Sequence, residues 1–324
     1  MKLLKRVLSL TLVFALLALS CVSLASCKDD GKYTIGICQL VTHDALDAAT
    51  KGFKDAVIEA LGEENVTFIE QNAGNDIPLC TTIANDFVSK NVDLIMANAT
   101  SALQAAASAT ADIPVLGTSV TEYGVALGIK DFDGLVGGNI SGTSDLAPLD
   151  EQAQMILDLC PNAEKVGLLY CSAEPNSMYQ SKLAQAELDK ANIAWEEYTA
   201  ADSNEVQSVV TKAVSECDVL YIPTDNTMAN NTEIIKNVAV PAGVPVIAGE
   251  EGICSGCGVA TLSISYYDLG VKAAEMAYEI LVNGADPAEM PIEYVSEGIT
   301  EKYNAEIAEA LQIAIPEGMV AIGE

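Results

Sequence analysis

Six short clusters of hydroxyl, amide and carboxylate side chains punctuate a chain that is otherwise half hydrophobic. In order they are Gln39, Thr42, His43 and Asp44; Asn98, Thr100 and Ser101; Thr118, Ser119 and Thr121; Ser172, Glu174, Asn176 and Ser177; Thr224, Asp225, Asn226 and Thr227; and Glu250 with Glu251. Such groups donate and accept hydrogen bonds and carry negative charge, which suits reversible capture of a small polar molecule. Taken singly, each cluster is also what the start of a helix needs, because Ser, Thr, Asp and Asn cap free backbone N–H groups. Six of them following six apolar runs argue for a common binding cleft.

Bond-making chemistry finds little support. His43 is the only histidine, so a Ser-His-Asp or Cys-His device would have to be built on it. No GxSxG elbow, Walker A loop or GxGxxG fingerprint is present. The chain is therefore expected to be no enzyme and to need no cofactor. Seven cysteines follow Cys27, an odd and scattered set that reads as small buried hydrophobes rather than a disulfide framework. Cys254 and Cys257, spaced CxxC, leave a local bridge open. A metal site is not expected, since no second CxxC accompanies them.

The clusters are carried by alternating apolar runs and helical segments, the pattern of parallel sheets covered by helices. Strands are predicted at 33–40, 66–71, 94–97, 114–118 and 135–140, with helices over 44–61, 77–89 and 101–110 between them. The pattern restarts with a helix over 148–159. Strands at 166–171, 195–198, 219–223, 244–248 and 259–265 follow, alternating with helices over 177–191, 206–214 and 228–238. A long amphipathic helix over 267–282 stops at Asn283-Gly284. In open parallel sheets ligands gather beyond the carboxyl ends of the strands, which is where all six clusters fall.

The chain opens with Lys2, Lys5 and Arg6, an apolar run over 7–19, and Leu24-Ala25-Ser26-Cys27. These are the parts of a bacterial export signal over 1–26, with a lipobox that predicts lipid attachment at Cys27 and a tether over 27–32. The run falls short of the roughly 20 apolar residues that span a bilayer. Removing 1–26 takes away three cations and moves the formal charge from −30 to −33; no arginine remains. Such a surface repels nucleic acid and anionic lipid headgroups, so nucleic acid is excluded as a partner and the lipid must anchor the protein to the outer face of the membrane. Large anionic substrates are disfavoured as well, for want of a guanidinium fork.

Several segments carry a resemblance. Val41-Thr42-His43-Asp44-Ala45-Leu46-Asp47 with Gly52-Phe53, Ala99-Thr100-Ser101-Ala102-Leu103-Gln104-Ala105-Ala106, Gly142-Thr143-Ser144-Asp145, Ala173-Glu174-Pro175-Asn176-Ser177 and Pro223-Thr224-Asp225-Asn226-Thr227 recur in this order. Tyr266-Tyr267-Asp268-Leu269-Gly270 and Ile280-Leu281-Val282-Asn283-Gly284 extend the set. The chain thus resembles the substrate-binding lipoproteins of tryptophan/tyrosine-type ABC transporters. That family implies an α/β, type I periplasmic-binding-protein fold: two doubly wound parallel-sheet lobes joined by three crossovers, here near 141–145, 265–268 and 286–291. The lobes would be 33–142 plus about 267–288, and 143–266 plus about 289–324. A monomer that closes on a small solute and hands it to an ABC permease is what the resemblance implies. A sugar or nucleoside binder on the same fold, or a sensor for a membrane receptor, is the alternative.

For an amino acid zwitterion, the ligand-binding set is expected among Gln39, His43, Thr100, Ser101, Thr118, Ser119, Ser172, Asn176, Ser177, Asp225, Asn226, Glu250 and Glu251. Without arginine, backbone N–H groups at helix starts and hydroxyls such as Thr100, Ser101, Ser119 and Ser177 would hold the carboxylate. Asp225 is the first choice for the ammonium, with Glu250 or Glu251 second. A ligand ring would lie against His43, Tyr123 or Tyr179.

Overall fold

Two sheets with the same winding organise the chain. The computed structural model describes residues 32–295 and 299–323; the export signal expected over 1–26, Cys27 and most of the expected tether lie outside those residues. In the first sheet β1 (Tyr33–Gln39) lies between β2 (Val66–Asn72) and β3 (Leu94–Asn98), followed by β4 (Val115–Val120) and β5 (Ile140–Ser144). In the second, β6 (Lys165–Cys171) lies between β7 (Ala194–Ala200) and β8 (Val219–Ile222), followed by β9 (Val246–Ala248) and β10 (Ala260–Ser263). All these pairs run parallel. Both sheets reverse their winding beside the first strand of the half, the switch point where doubly wound folds receive ligands.

The strands are near-continuous apolar runs because both of their faces are covered. Ile35, Ile37, Leu94, Ile95 and Met96 are fully buried in the first lobe, as are Leu168, Leu169, Leu220 and Ile222 in the second. Covering them are the helices α1 (Asp44–Leu61), α2 (Ile77–Ser89), α3 (Thr100–Ala109), α4 (Tyr123–Leu127), α5 (Leu149–Leu159), α6 (Pro175–Ala191), α7 (Val206–Glu216), α8 (Asn226–Ala229), α9 (Thr232–Ala242), α10 (Glu251–Cys257), α11 (Tyr266–Leu281) and α12 (Ala305–Leu311). Among them, none is long and apolar enough to cross a membrane.

The chain passes between lobes after β5, where α5 packs on the second sheet, and after β10, where α11 returns to pack on α1. That return is held by two glycines. A Cβ on Gly52 would come within 2.1 Å of the Tyr267 carbonyl oxygen, and one on Gly270 within 2.0 Å of the Ala49 carbonyl oxygen. No larger residue allows the two backbones to approach so closely. The third passage falls later than 286–291. β11 (Glu293–Tyr294) still pairs with β5 at the edge of the first sheet, and β12 (Thr300–Tyr303) runs antiparallel to β10 in the second, followed by β13 (Val320–Ala321). Residues 289–294, assigned from sequence to the second lobe, therefore lie on the first. A two-residue edge strand is too short to declare its partner by periodicity.

The fifth strand also differs. It occupies Ile140–Ser144 rather than 135–140, because Gly134, Gly137 and Gly138 take positive φ and turn the preceding stretch into a bend. The strand's own Ser-Gly-Thr-Ser sequence is fully buried but not apolar, so composition hides it. The seven described cysteines are free thiols, and Cys254 and Cys257 are buried in the second lobe's core.

Candidate functional site

The loops at the carboxyl ends of the two sheets meet. His43 Nε2 lies 3.2 Å from Asn226 Oδ1, Asn75 Nδ2 donates to Thr227 Oγ1 at 3.3 Å, and Gln180 Nε2 donates to Thr121 Oγ1 at 3.3 Å. Each bond joins one lobe to the other, so the lobes are closed on one another. Between them remains a narrow gap with about 280 Å³ of empty space, part of it open to solvent.

The first lobe contributes His43 and Leu46 from the start of α1, and Ser119 from the end of β4. Ser119 is held at φ 54°, and Ala99, just before α3, at φ 93°. Left-handed backbone at residues other than glycine costs about 1–3 kcal/mol and collects at functional sites. The second lobe contributes Asn176, Thr224, Asp225, Asn226, Ala229 and Glu250, and the crossovers add Asp145 and Tyr266.

Three carboxyl groups stand in this lining. Asp225 Oδ1 accepts the Met228 N–H at 2.8 Å, capping α8, and Oδ2 accepts the Cys171 N–H at 2.6 Å. Glu250 caps α10, accepting the N–H groups of Gly252 and Ile253 at 2.5 Å each. Asp145 Oδ2 accepts the Tyr266 hydroxyl at 2.8 Å, while Oδ1 is buried with no partner. Burial raises all three carboxyls: Asp225 well above its ordinary value, helped by the neighbouring Glu174 charge, Asp145 upward against the opposing effect of the Tyr266 and Thr121 hydroxyls, and Glu250 to about 7. No lysine lines the cavity. Two further polar atoms, Ser119 Oγ and His43 Nδ1, are also buried without partners. Burial lowers the His43 pKa, against the opposing effect of the Asn226 bond and of the Glu174, Asp47 and Asp44 charges.

Behind the lining, Glu174 organises the second lobe's loops. Its Oε1 accepts from the N–H and the hydroxyl of Thr227 at 2.8 Å each, and its Oε2 from Asn226 N, Asn226 Nδ2 and Asn176 Nδ2 at 3.0, 2.8 and 3.2 Å. These bonds fix how Asn176 and Asn226 face the cavity.

Of the expected ligand-binding set, His43, Ser119, Asn176, Asp225, Asn226 and Glu250 come together on this cavity, joined by Thr224 from the same polar clusters. The others stand off it, for separate reasons. Gln39 is consumed inside the first lobe, donating to the Val41 carbonyl and the Asp47 carboxylate and accepting from Thr50. Thr118 accepts from the Thr143 hydroxyl within the sheet, and Thr100 and Ser101 are buried in the first turn of α3. Ser177 Oγ donates to the Thr224 carbonyl, one layer behind the lining. Ser172 is exposed and turns to the Ala200 carbonyl. Glu251 pairs with Lys302 at 2.6 Å on a neighbouring groove. Tyr123 is buried in the first lobe with its hydroxyl on the Thr143 carbonyl, and Tyr179 is not among the lining residues. Asp145, Tyr266, Leu46 and Ala229 were missed. Asp145 ends the Gly142-Thr143-Ser144-Asp145 segment, where a carboxylate directly after a buried strand was the available signal.

A two-lobed, closing receptor with a small acidic cavity is the class of protein that fold and site define. The sequence profile described as ABC transporter substrate binding protein matches residues 34–323, and the chain belongs to that family. A tyrosine-binding protein of Clostridioides difficile (strain R20291) is 39% identical over 275 residues, covering 83% of this chain and 79% of that one. The structure overlays with TM-score 0.85 on a Streptococcus pneumonia ABC domain in complex with L-Trp, at 32% identity over 90% of this chain and 100% of that one. It overlays with TM-score 0.68 on the ligand-free, open form of a Clostridium difficile substrate-binding protein with adhesive properties, at 36% identity over 90% and 99% of the two chains. The higher identity thus accompanies the poorer overlay, in keeping with the closed arrangement of the lobes.

Proposed function

We propose that this chain is the extracytoplasmic solute receptor of an ABC importer, and that its solute is an aromatic amino acid carried as a zwitterion. One observation supports this reading above the rest: the gap bordered by Asp145, Asp225 and Glu250 has no lysine in its lining. Buried carboxylates with no opposite charge beside them are costly, and a ligand ammonium offsets that cost. The unpartnered Oδ1 of Asp145 is its first contact, and Ser119 Oγ, also unpartnered, receives the ligand carboxylate. Leu46 and Ala229 provide the apolar wall for a ring. The tyrosine-binding relative and the L-Trp complex support the aromatic class. In this reading Cys27 carries the lipid that keeps the receptor beside its permease.

Titration calorimetry with the twenty amino acids, common sugars and nucleosides tests the proposal. L-tyrosine or L-tryptophan is expected to bind, and at 100 times its dissociation constant to add about 2.7 kcal/mol of stability. Removing the ammonium, as in 3-(4-hydroxyphenyl)propionate, should abolish binding. A ligand set of sugars or nucleosides, indifferent to charge, would refute the amino acid reading.

A further inference from the structure

His43 is the only histidine of the chain, and a chain of hydrogen bonds decides which of its nitrogens carries the proton. The Glu174 carboxylate only accepts, so Asn226 must turn its Nδ2 toward Glu174, 2.8 Å away. Asn226 Oδ1 therefore faces His43 Nε2 at 3.2 Å. A carbonyl oxygen cannot donate, so Nε2 must carry the hydrogen. In a neutral imidazole that leaves Nδ1 as a bare acceptor, and Nδ1 is buried without a partner. His43 stands on the first lobe, Asn226 and Glu174 on the second, so this tautomer is imposed only when the lobes close.

The lining of the cavity that His43 borders points to the donor that Nδ1 awaits. Leu46 lies three residues after His43 on α1, and Ala229 three residues after Asn226 on α8, placing the apolar side of the cavity against the His43–Asn226 bridge. Asp145 and Glu250, which suit an ammonium, are contributed by other elements, while Asp225, beside Asn226, already accepts the Cys171 and Met228 N–H groups. We infer that His43, locked by Asn226 and Glu174 on closure, is a specificity-determining residue whose Nδ1 accepts a hydrogen bond from a neutral O–H or N–H on the ligand's ring. The site thereby favours hydroxyphenyl or indole amino acids over rings with no donor. This rests on the aromatic amino acid reading above and adds a role for one residue within it.

Two measurements test it on the full mature chain. Calorimetry compares matched pairs that differ in the ring donor: L-tyrosine with L-phenylalanine and O-methyl-L-tyrosine, and L-tryptophan with 1-methyl-L-tryptophan. In the wild type, loss of the donor should weaken binding about tenfold or more in the preferred pair, because a buried acceptor is left unmade. In His43→Leu the ratio should shrink to within about threefold, with residual binding of the donor-free analogue showing that the variant folds. Nitrogen-15 NMR of histidine-labelled protein reads the single imidazole directly: the ligand-bound form should show Nε2 protonated and Nδ1 bare. Equal affinities within both pairs, a tenfold preference retained by His43→Leu, or a proton on Nδ1 in the bound form would each overturn the inference while leaving an aromatic amino acid receptor intact. Failure of every aromatic amino acid to bind would overturn both.

Discussion

Asp145→Asn separates a ligand contact from a structural one, because the two roles predict opposite signs. The Asp145 carboxyl is buried, its pKa is raised by that burial, and Oδ1 has no partner while Oδ2 accepts the Tyr266 hydroxyl. An amide keeps an oxygen for the Tyr266 hydroxyl and removes the cost of a buried negative charge. The ligand-free variant should therefore melt at or above the wild-type temperature. Binding should move the other way. The ammonium loses one charge-assisted hydrogen bond, worth about 1.5–3 kcal/mol, which corresponds to roughly a 10- to 150-fold weaker Kd. Calorimetry with L-tyrosine and L-tryptophan gives the affinity, and differential scanning calorimetry without ligand gives the stability. An affinity within twofold of wild type, or a ligand-free melting temperature that falls alongside the affinity, would show that Asp145 serves Tyr266 and the crossover rather than the solute. Asp225→Ala is a poorer test, since it also strips the cap from α8 and leaves the Cys171 N–H bare, at a cost of about 0.5–2 kcal/mol for the cap alone.

The remaining predictions concern protons, packing and anchoring. Glu250 is raised from 4.5 to about 7. Its contribution to the stability of the ligand-free protein is thus full below about pH 4.5 and is lost as pH rises toward 7. A bound ammonium favours the ionised form, so binding near pH 6 should release protons, seen as calorimetric enthalpies that vary with buffer, and Glu250→Gln should diminish that release. Gly270→Ala must force α11 away from the Ala49 carbonyl; overpacking of this kind costs about 1–3 kcal/mol, read as a lower urea midpoint at unchanged slope. Cys27→Ser should move the exported protein from the detergent phase to the aqueous phase in a phase-partitioning assay, and an unchanged distribution would argue against lipid at that residue.

The two halves were legible because strands such as Lys165–Cys171 are apolar on both faces and sit between helices of ordinary length. The strand Ile140–Ser144 was misplaced because its burial is achieved with small polar residues that bond within the sheet, as Thr143 does to Thr118. The loops of the site were legible for the same reason that their individual residues were not. A polar cluster after a strand marks a strand's carboxyl end, but whether Thr100 or Ser101 turns to the cleft or into its own lobe depends on the local turn. Asp145 and Tyr266 could not be read from either half alone, since a crossover residue faces the cavity only once the lobes are set against each other. Glu174 was seen as one more loop carboxylate; its place as the hub of five donors depends on the spacing between α6 and α8.

The glycine contact between α1 and α11 has a consequence for the size of cargo. α1 begins beside His43 and Leu46, α11 begins at Tyr266, and the two are fastened backbone to backbone at Gly52 and Gly270. These walls of the chamber belong to a single strut, packed along its length by side chains such as Phe53, Leu269 and Ala273 and joined main chain to main chain at the two glycines. A bulkier guest cannot enlarge the chamber by nudging Tyr266 aside, because the whole strut would have to part. Its upper limit is set by main-chain geometry, and broader tolerance would have to evolve on the facing lobe.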